Sequence, residues 1–126
     1  MNIHPKLFYS KEHEWIRINE YEVTIGITDY AQSQLGDIIF IEIPEIEDKF
    51  SAGDVIGEIE AVKTVSELYA PVSGAIIEIN NQIDDKPELV NSDPYGKGWL
   101  LKIQCPKLFD EKSSLLSPLE YEKIIS

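Results

Sequence analysis

The chain has 126 residues, 43% of them apolar and 27% charged, which fits one globular domain burying roughly two-thirds of its unfolded surface and excludes a disordered chain. Acids outnumber bases 23 to 11, for a formal net charge of −12; such a surface repels phosphate backbones and anionic lipid and suits docking on enzymes with basic patches. Cys105 is the only cysteine, so an intrachain disulfide is excluded, and no apolar run reaches membrane-spanning length.

The opening segment MNIHPKLFYSKEHEW has no hydrophobic signal core and is not an Arg-rich, acid-poor transit peptide. A cytoplasmic location is the expectation. Period-two alternation with β-branched residues then predicts strands at Trp15 to Ile18 and Glu22 to Ile27. Thr28 is a cap for a short helix over Asp29 to Leu35, which Gly36 ends. Further strands are predicted at Ile38 to Ile43, Val55 to Val62, Ser66 to Ala70, Ala75 to Ile79 and Trp99 to Ile103. The acid pair Asp84-Asp85 before Lys86-Pro87 reads as a solvated turn. A C-terminal helical segment over about 110–126 closes the chain. Within it Ser117 and Glu120 form a capping box, Pro118 takes the first helical position, and Tyr121, Ile124 and Ile125 make an apolar stripe. Short strands at this spacing argue for an all-β sandwich or barrel.

A weak repeat runs through the middle. LGDIIFIEI (Leu35 to Ile43) and SGAIIEIN (Ser73 to Asn80) share Gly-x-Ile-Ile-x-Ile, and TIGI and VIGEI upstream share Ile-Gly. Gly26 and Gly36 are 10 positions apart, whereas Gly57 and Gly74 are 17 apart, so the second half carries a longer connection. Lys63 lies inside it.

A lone lysine on an acidic chain reads by default as a solvated charge. In GEIEAVKTVSELYAPVSG, however, strand signal runs up to Lys63 and resumes just after it, without Asn-Gly, Asp-Gly or any glycine at the bend. The tip is built for the side chain it presents. A Schiff-base lysine needs burial or cationic neighbours to lower its pKa; an exposed tip near Glu58, Glu60 and Glu67 favours the ammonium instead. A lysine acylated by another enzyme has no such requirement. His4 and His13 lack a third ligand at metal spacing, and KEHEW lacks the second histidine of a zincin helix. Glu14 by itself reads as a surface charge. Trp15, Tyr30, Phe40, Tyr69, Tyr95 and Trp99 read as core or edge packing residues.

IEAVKTVSELYAPVSG closely resembles the lipoyl-lysine segment of the glycine cleavage system H proteins. YSKEHEW, IGITDYAQSQLGDIIFIEIP, NSDPYGKGWLLKI and YEKII resemble landmarks of the same family in the same order. The resemblance implies a flattened barrel-sandwich hybrid with a C-terminal helix, and lipoic acid in amide linkage on Lys63. It implies a non-catalytic carrier that takes the aminomethyl group of glycine from the pyridoxal-phosphate-dependent decarboxylase to the tetrahydrofolate-dependent aminomethyltransferase. Dihydrolipoamide dehydrogenase then reoxidises the arm. A lipoate-attaching enzyme is a further partner, and a monomer is expected. By the same resemblance Glu14, Gln34 and Glu67 border the cleft for the loaded arm. The exposed acids around Lys63, Glu58, Glu60 and Glu67, are expected to serve ligase and partner recognition rather than stability. Two positions depart from the family: Ala61 stands where serine is usual, and Gln34 where histidine is familiar. A lipoyl-relay or redox-regulatory role is the alternative among such carriers. A biotin carrier would place methionines beside the lysine, where Val62 and Thr64 stand here. An unmodified interaction module is the remaining class.

Overall fold

The computed structural model describes residues 2–126. Among the described residues, nine strands form two antiparallel sheets. β1 (Phe8–Tyr9), β2 (Glu14–Asn19), β3 (Glu22–Ile27), β5 (Lys49–Phe50), β8 (Gly74–Ile79) and β9 (Leu101–Gln104) build a six-stranded sheet in the order β1-β2-β3-β9-β8-β5. β4 (Ile38–Glu42), β6 (Val55–Ala61) and β7 (Val65–Tyr69) build a three-stranded sheet in the order β4-β6-β7. Their inner faces meet in a core of branched residues that includes Ile16, Val23, Ile25, Ile41, Ile59, Leu68, Ile76, Leu101 and Ile103. This is the barrel-sandwich arrangement. β6 alternates most clearly, with Ile56, Ile59 and Ala61 buried and Glu58 and Glu60 exposed. β2 and β3 instead bury three consecutive residues at the ends that meet, Glu14–Ile16 and Ile25–Ile27.

The helices sit at the margins. α1 (Asp29–Leu35) starts at Thr28, whose hydroxyl accepts the Ala31 amide, and ends at Gly36 with φ of 79°. A positive φ there suits glycine, which has no Cβ to clash. α5 (Pro118–Ile125) has the full capping box between Ser117 and Glu120. Its only buried residue is Tyr121; Ile124 is exposed and Ile125 partly buried, so the expected stripe narrows to one ring. Tyr121 stacks on Tyr9 with ring centroids 4.6 Å apart, in a second cluster with Leu7, Trp15 and Tyr95.

Four-residue helices α2 (Gln82–Asp85), α3 (Leu89–Ser92) and α4 (Leu108–Glu111) complete the chain. The expected solvated turn at Asp84-Asp85 is thus helical, and Ile83 beside it is buried. The C-terminal helical segment is not continuous: a 3₁₀ turn follows α4 over Lys112–Ser114, and the chain then extends so that Leu116 bridges to Tyr9. Cys105 is buried in the core, with its thiol pushed up to about 11 by burial and by the neighbouring Glu111. The two repeat strands, β4 and β8, fall in different sheets. The shorter connection holds α1, and the longer one holds the remainder of β6, the Lys63 tip and β7.

One glycine fixes how the small sheet is built. A Cβ at Gly57 would lie 2.1 Å from the Glu42 carbonyl oxygen of the neighbouring strand. Backbone on backbone cannot yield as a flexible side chain can, and the β6–β7 register shifts at this point, between Val55 and Gly57. Gly57→Ala should therefore force β4 and β6 apart and destabilise the protein by about 1–3 kcal/mol, the usual range for overpacking. Chemical denaturation checks this, and a loss under about 0.5 kcal/mol, within the range of ordinary surface changes, contradicts it.

Candidate functional site

The β6–β7 hairpin turns through Val62, Lys63 and Thr64, three residues outside strand structure. The Ala61 amide donates to the Thr64 carbonyl at 2.8 Å and closes the loop. The Val62 amide donates to the Asp37 carbonyl at 3.0 Å and ties the tip to the segment between α1 and β4. Ala61 itself is buried opposite Ile38. A hydroxyl at that position would need a partner in the core, so alanine fits the packing found here. Lys63 is exposed, and among the described residues no carboxylate lies within ion-pair distance of it. The backbone under Lys63 is held while its side chain is free.

The surrounding acids occupy ordered positions. Glu60 pairs with Val65 in the row next to the tip, and Glu58 pairs with Glu67 one row further. All three point outward from the sheet. β4 extends both rows, because Phe40 pairs with Glu60 and Glu42 with Glu58. Phe40 is 54% exposed, which corrects the expectation of a packing residue. A bulge between Ile38 and Phe40 turns its ring out.

Glu14 also differs from a surface charge: it is 1% exposed. The Ser10 hydroxyl donates to its Oε1 at 2.5 Å, and the Ser10 oxygen accepts the Glu14 amide at 3.1 Å. Glu14 Oε2 accepts the Tyr69 amide at 3.4 Å. β7 is a free edge of the small sheet, and this carboxylate covers one of its outward amides. Burial pushes the Glu14 carboxyl up to about 7, against the pull of the Ser10 and Tyr69 hydrogen bonds, which favour the ionised form. Gln34 stands exposed in the last turn of α1, and among the described residues no hydrogen bond joins it to Glu14. Glu67 lies on the outer face of β7, two residues before the amide that Glu14 accepts.

Sequence reasoning missed Ser10, for which the only signal is a hydroxyl four residues before a glutamate. It also missed a polar chain beside it. His13 has φ of 70°, a left-handed conformation uncommon for a side-chain-bearing residue. Its Nδ1 lies 2.9 Å from the Tyr121 hydroxyl, which lies 2.7 Å from Thr28 Oγ1. Thr28 thereby caps α1 and anchors α5 at once. Burial lowers the His13 pKa from its ordinary value, so a neutral ring is favoured in this position.

Fold and tip together define a barrel-sandwich hybrid that presents one lysine on a β-hairpin. Residues 7–126 match the model of the family described as glycine cleavage H-protein. The chain is 50% identical to the glycine cleavage system H protein of Staphylococcus haemolyticus, over 99% of this chain and 98% of that one. It is 52% identical to that of Carboxydothermus hydrogenoformans, over 99% and 96%. The crystal structure of a glycine cleavage system H protein from Mycobacterium marinum superposes with a TM-score of 0.89 at 39% identity, covering 96% of this chain and 97% of that chain. The chain belongs to the glycine cleavage H-protein family.

The raised Glu14 pKa has a direct consequence for stability. The folded state keeps this proton up to about pH 7, whereas the unfolded carboxyl releases it near 4.5. Between those values the folded state binds more protons, so the contribution is full below about 4.5 and is lost as pH rises through 7. Glu14→Gln should leave the melting temperature near that of the wild type at pH 4.5 and raise it at pH 8, flattening the decline between. Thermal denaturation across this range checks it, and parallel pH profiles for the two proteins contradict it.

Proposed function

We propose that this chain is the lipoyl-lysine carrier of a glycine cleavage system, with lipoic acid in amide linkage on Lys63. The observation that carries this reading is the presentation of Lys63. Two backbone hydrogen bonds hold the tip, the side chain is exposed, and no ion pair ties it down among the described residues. A fixed backbone under a free amine fits a covalent attachment point. When attached, lipoic acid supplies a disulfide that takes up the aminomethyl group of glycine and then carries its electrons.

The chain's own residues present and tether. Anchored at Lys63, the cargo stays at high effective concentration for each enzyme it visits. In this reading the partners are the pyridoxal-phosphate-dependent glycine decarboxylase, the aminomethyltransferase, dihydrolipoamide dehydrogenase and a lipoate-attaching enzyme, all in the cytoplasm. The chain is a non-catalytic component among them. We assign Glu58, Glu60 and Glu67 to recognition by these enzymes.

Glu14 is assigned to holding the amine of the loaded arm, with Gln34 and Glu67 at the approach. Its Oε2 has one long contact, to the Tyr69 amide at 3.4 Å, which leaves acceptor capacity. An arriving ammonium would favour the ionised carboxylate and so offset the effect of burial.

Lys63→Arg should keep the wild-type melting temperature, because an exposed tip side chain packs against little, and should abolish glycine-dependent carbon dioxide release in a reconstituted system. Residual turnover with this variant contradicts the assignment. Glu14→Ala should accept the lipoyl group normally, yet once loaded and separated from the transferase it should release ammonia several-fold faster than the wild type. Equal release rates contradict the role given to Glu14.

A further inference from the structure

The outward face of the small sheet has two rows that run across all three strands. Glu42, Glu58 and Glu67 stand in direct register in one row, and Phe40, Glu60 and Val65 in the other. Residues directly opposite each other share a face and stand close enough to interact, and like charges so placed repel. Yet among the described residues none of these four carboxylates has a hydrogen-bond or ion-pair partner; the Lys102–Glu78 ion pair lies on the other sheet. The apolar members are equally unpartnered. Phe40 is 54% exposed, Val65 56%, and Val62 at the tip 67%. The face thus joins a line of uncompensated negative charge to a second row, next to the tip, in which Phe40 and Val65 flank Glu60.

We propose that this sheet face is the surface on which the lipoate-attaching enzyme docks, through basic groups facing Glu42–Glu58–Glu67 and Glu60 and apolar contacts to Phe40 and Val65 on either side of Glu60. The inference rests on Lys63 being the attachment point and adds Phe40, Val65 and Glu42 to the residues that decide recognition. The occupant is chosen on two grounds. The first is charge: strands lie roughly 4.8 Å apart, so the three carboxylates form a ladder that a row of lysines or arginines complements. The second is reach. An enzyme that acts on the far end of a long arm can stand off from the protein, but the one that acylates the bare amine must bring its centre onto the tip. There the Lys63 Nζ, once deprotonated, attacks the carbonyl of a lipoyl–adenylate mixed anhydride formed with ATP. The C–N amide bond forms, the C–O bond to phosphate breaks, AMP leaves, and the amine proton goes to solvent. An enzyme seated for that step covers Val62 and Val65, and the next residues it meets are Glu60 and Phe40.

Phe109, 90% exposed beside Glu20 and Tyr21, stands clear of the surface further than any other large apolar side chain among the described residues. It lies by the β2–β3 turn, at the end of those strands away from Glu14, Thr28 and α1, two residues beyond which Asp37 holds the tip. It therefore serves as the control.

The experiment measures initial rates of lipoyl transfer from ATP and lipoate by a lipoate–protein ligase, read by intact mass over a range of carrier concentrations. Phe40→Ser and Glu42→Lys should each raise KM about tenfold with kcat within about twofold, while Phe109→Ser stays at wild-type values. Added salt should raise the wild-type KM more than that of Glu42→Lys. Glu42→Gln removes the charge, keeps the shape and relieves repulsion, so it provides a securely folded variant whose KM should rise in the same direction. Wild-type KM in Phe40→Ser, Glu42→Lys and Glu42→Gln, with normal transfer to Lys63, overturns the docking face and leaves the carrier reading intact. Failure of the wild type to accept any lipoyl group overturns both.

Discussion

The presentation of Lys63 depends on the close approach of β6 to β4 at Gly57, where there is no room for a methyl group above the Glu42 carbonyl oxygen. That contact sits at a register shift in the three-stranded sheet. From there the pairing places Ile41 and Ile59 inward in the core, aligns Glu42, Glu58 and Glu67 outward, and brings Ala61 opposite Ile38. With Ala61 buried, Val62 is in place to bond to the Asp37 carbonyl, and the chain reverses with Lys63 at its outermost point. A slip of one residue would exchange the two faces and bury the acids.

The same sheet has an exposed edge at β7, and Glu14 is how the larger sheet meets it. Its carboxylate is buried, fixed by Ser10 and turned to an amide of the strand that descends from the lysine. An ionisable group in such a place is kept at a cost in stability at neutral pH. That cost is intelligible if the carboxylate has a cation to receive, as the function proposed for it requires. The His13–Tyr121–Thr28 chain secures the neighbouring ground by joining α5, the cap of α1 and the turn before Glu14. The C-terminal helix therefore acts on the site through one buried ring rather than through a broad apolar face.

Much of this was legible in the residues. α1 matches its expected bounds because Thr28 and Gly36 mark both ends, and Ser117, Pro118 and Glu120 mark the start of α5 equally well. The long strands follow from alternation, and Lys63 at a glycine-free tip was legible as a presented side chain. What escaped had physical reasons. β1 and β5 are two residues each and α2 and α3 four, too short for any period to register. Phe40 is turned outward by a bulge, and a bulge leaves no mark in the hydrophobic pattern. Glu14 reads as exposed in the sequence because carboxylates usually are; its burial depends on β7 lying across it, a contact between residues 55 positions apart. The pairing of Glu42 with Glu58 and Glu67 is likewise a matter of register, which sequence spacing alone does not give.

The proposed attachment point is one lysine among ten, distinguished by the geometry of its backbone rather than by its own chemistry. Peptide mapping by mass spectrometry, after the folded protein has been incubated with a lipoate–protein ligase, ATP and lipoate, tests this most directly. The lipoyl group is expected on Lys63 and on no other lysine, with the modification lost when the protein is unfolded beforehand. Lipoylation of Lys86 or Lys97, or no modification at all, would contradict it.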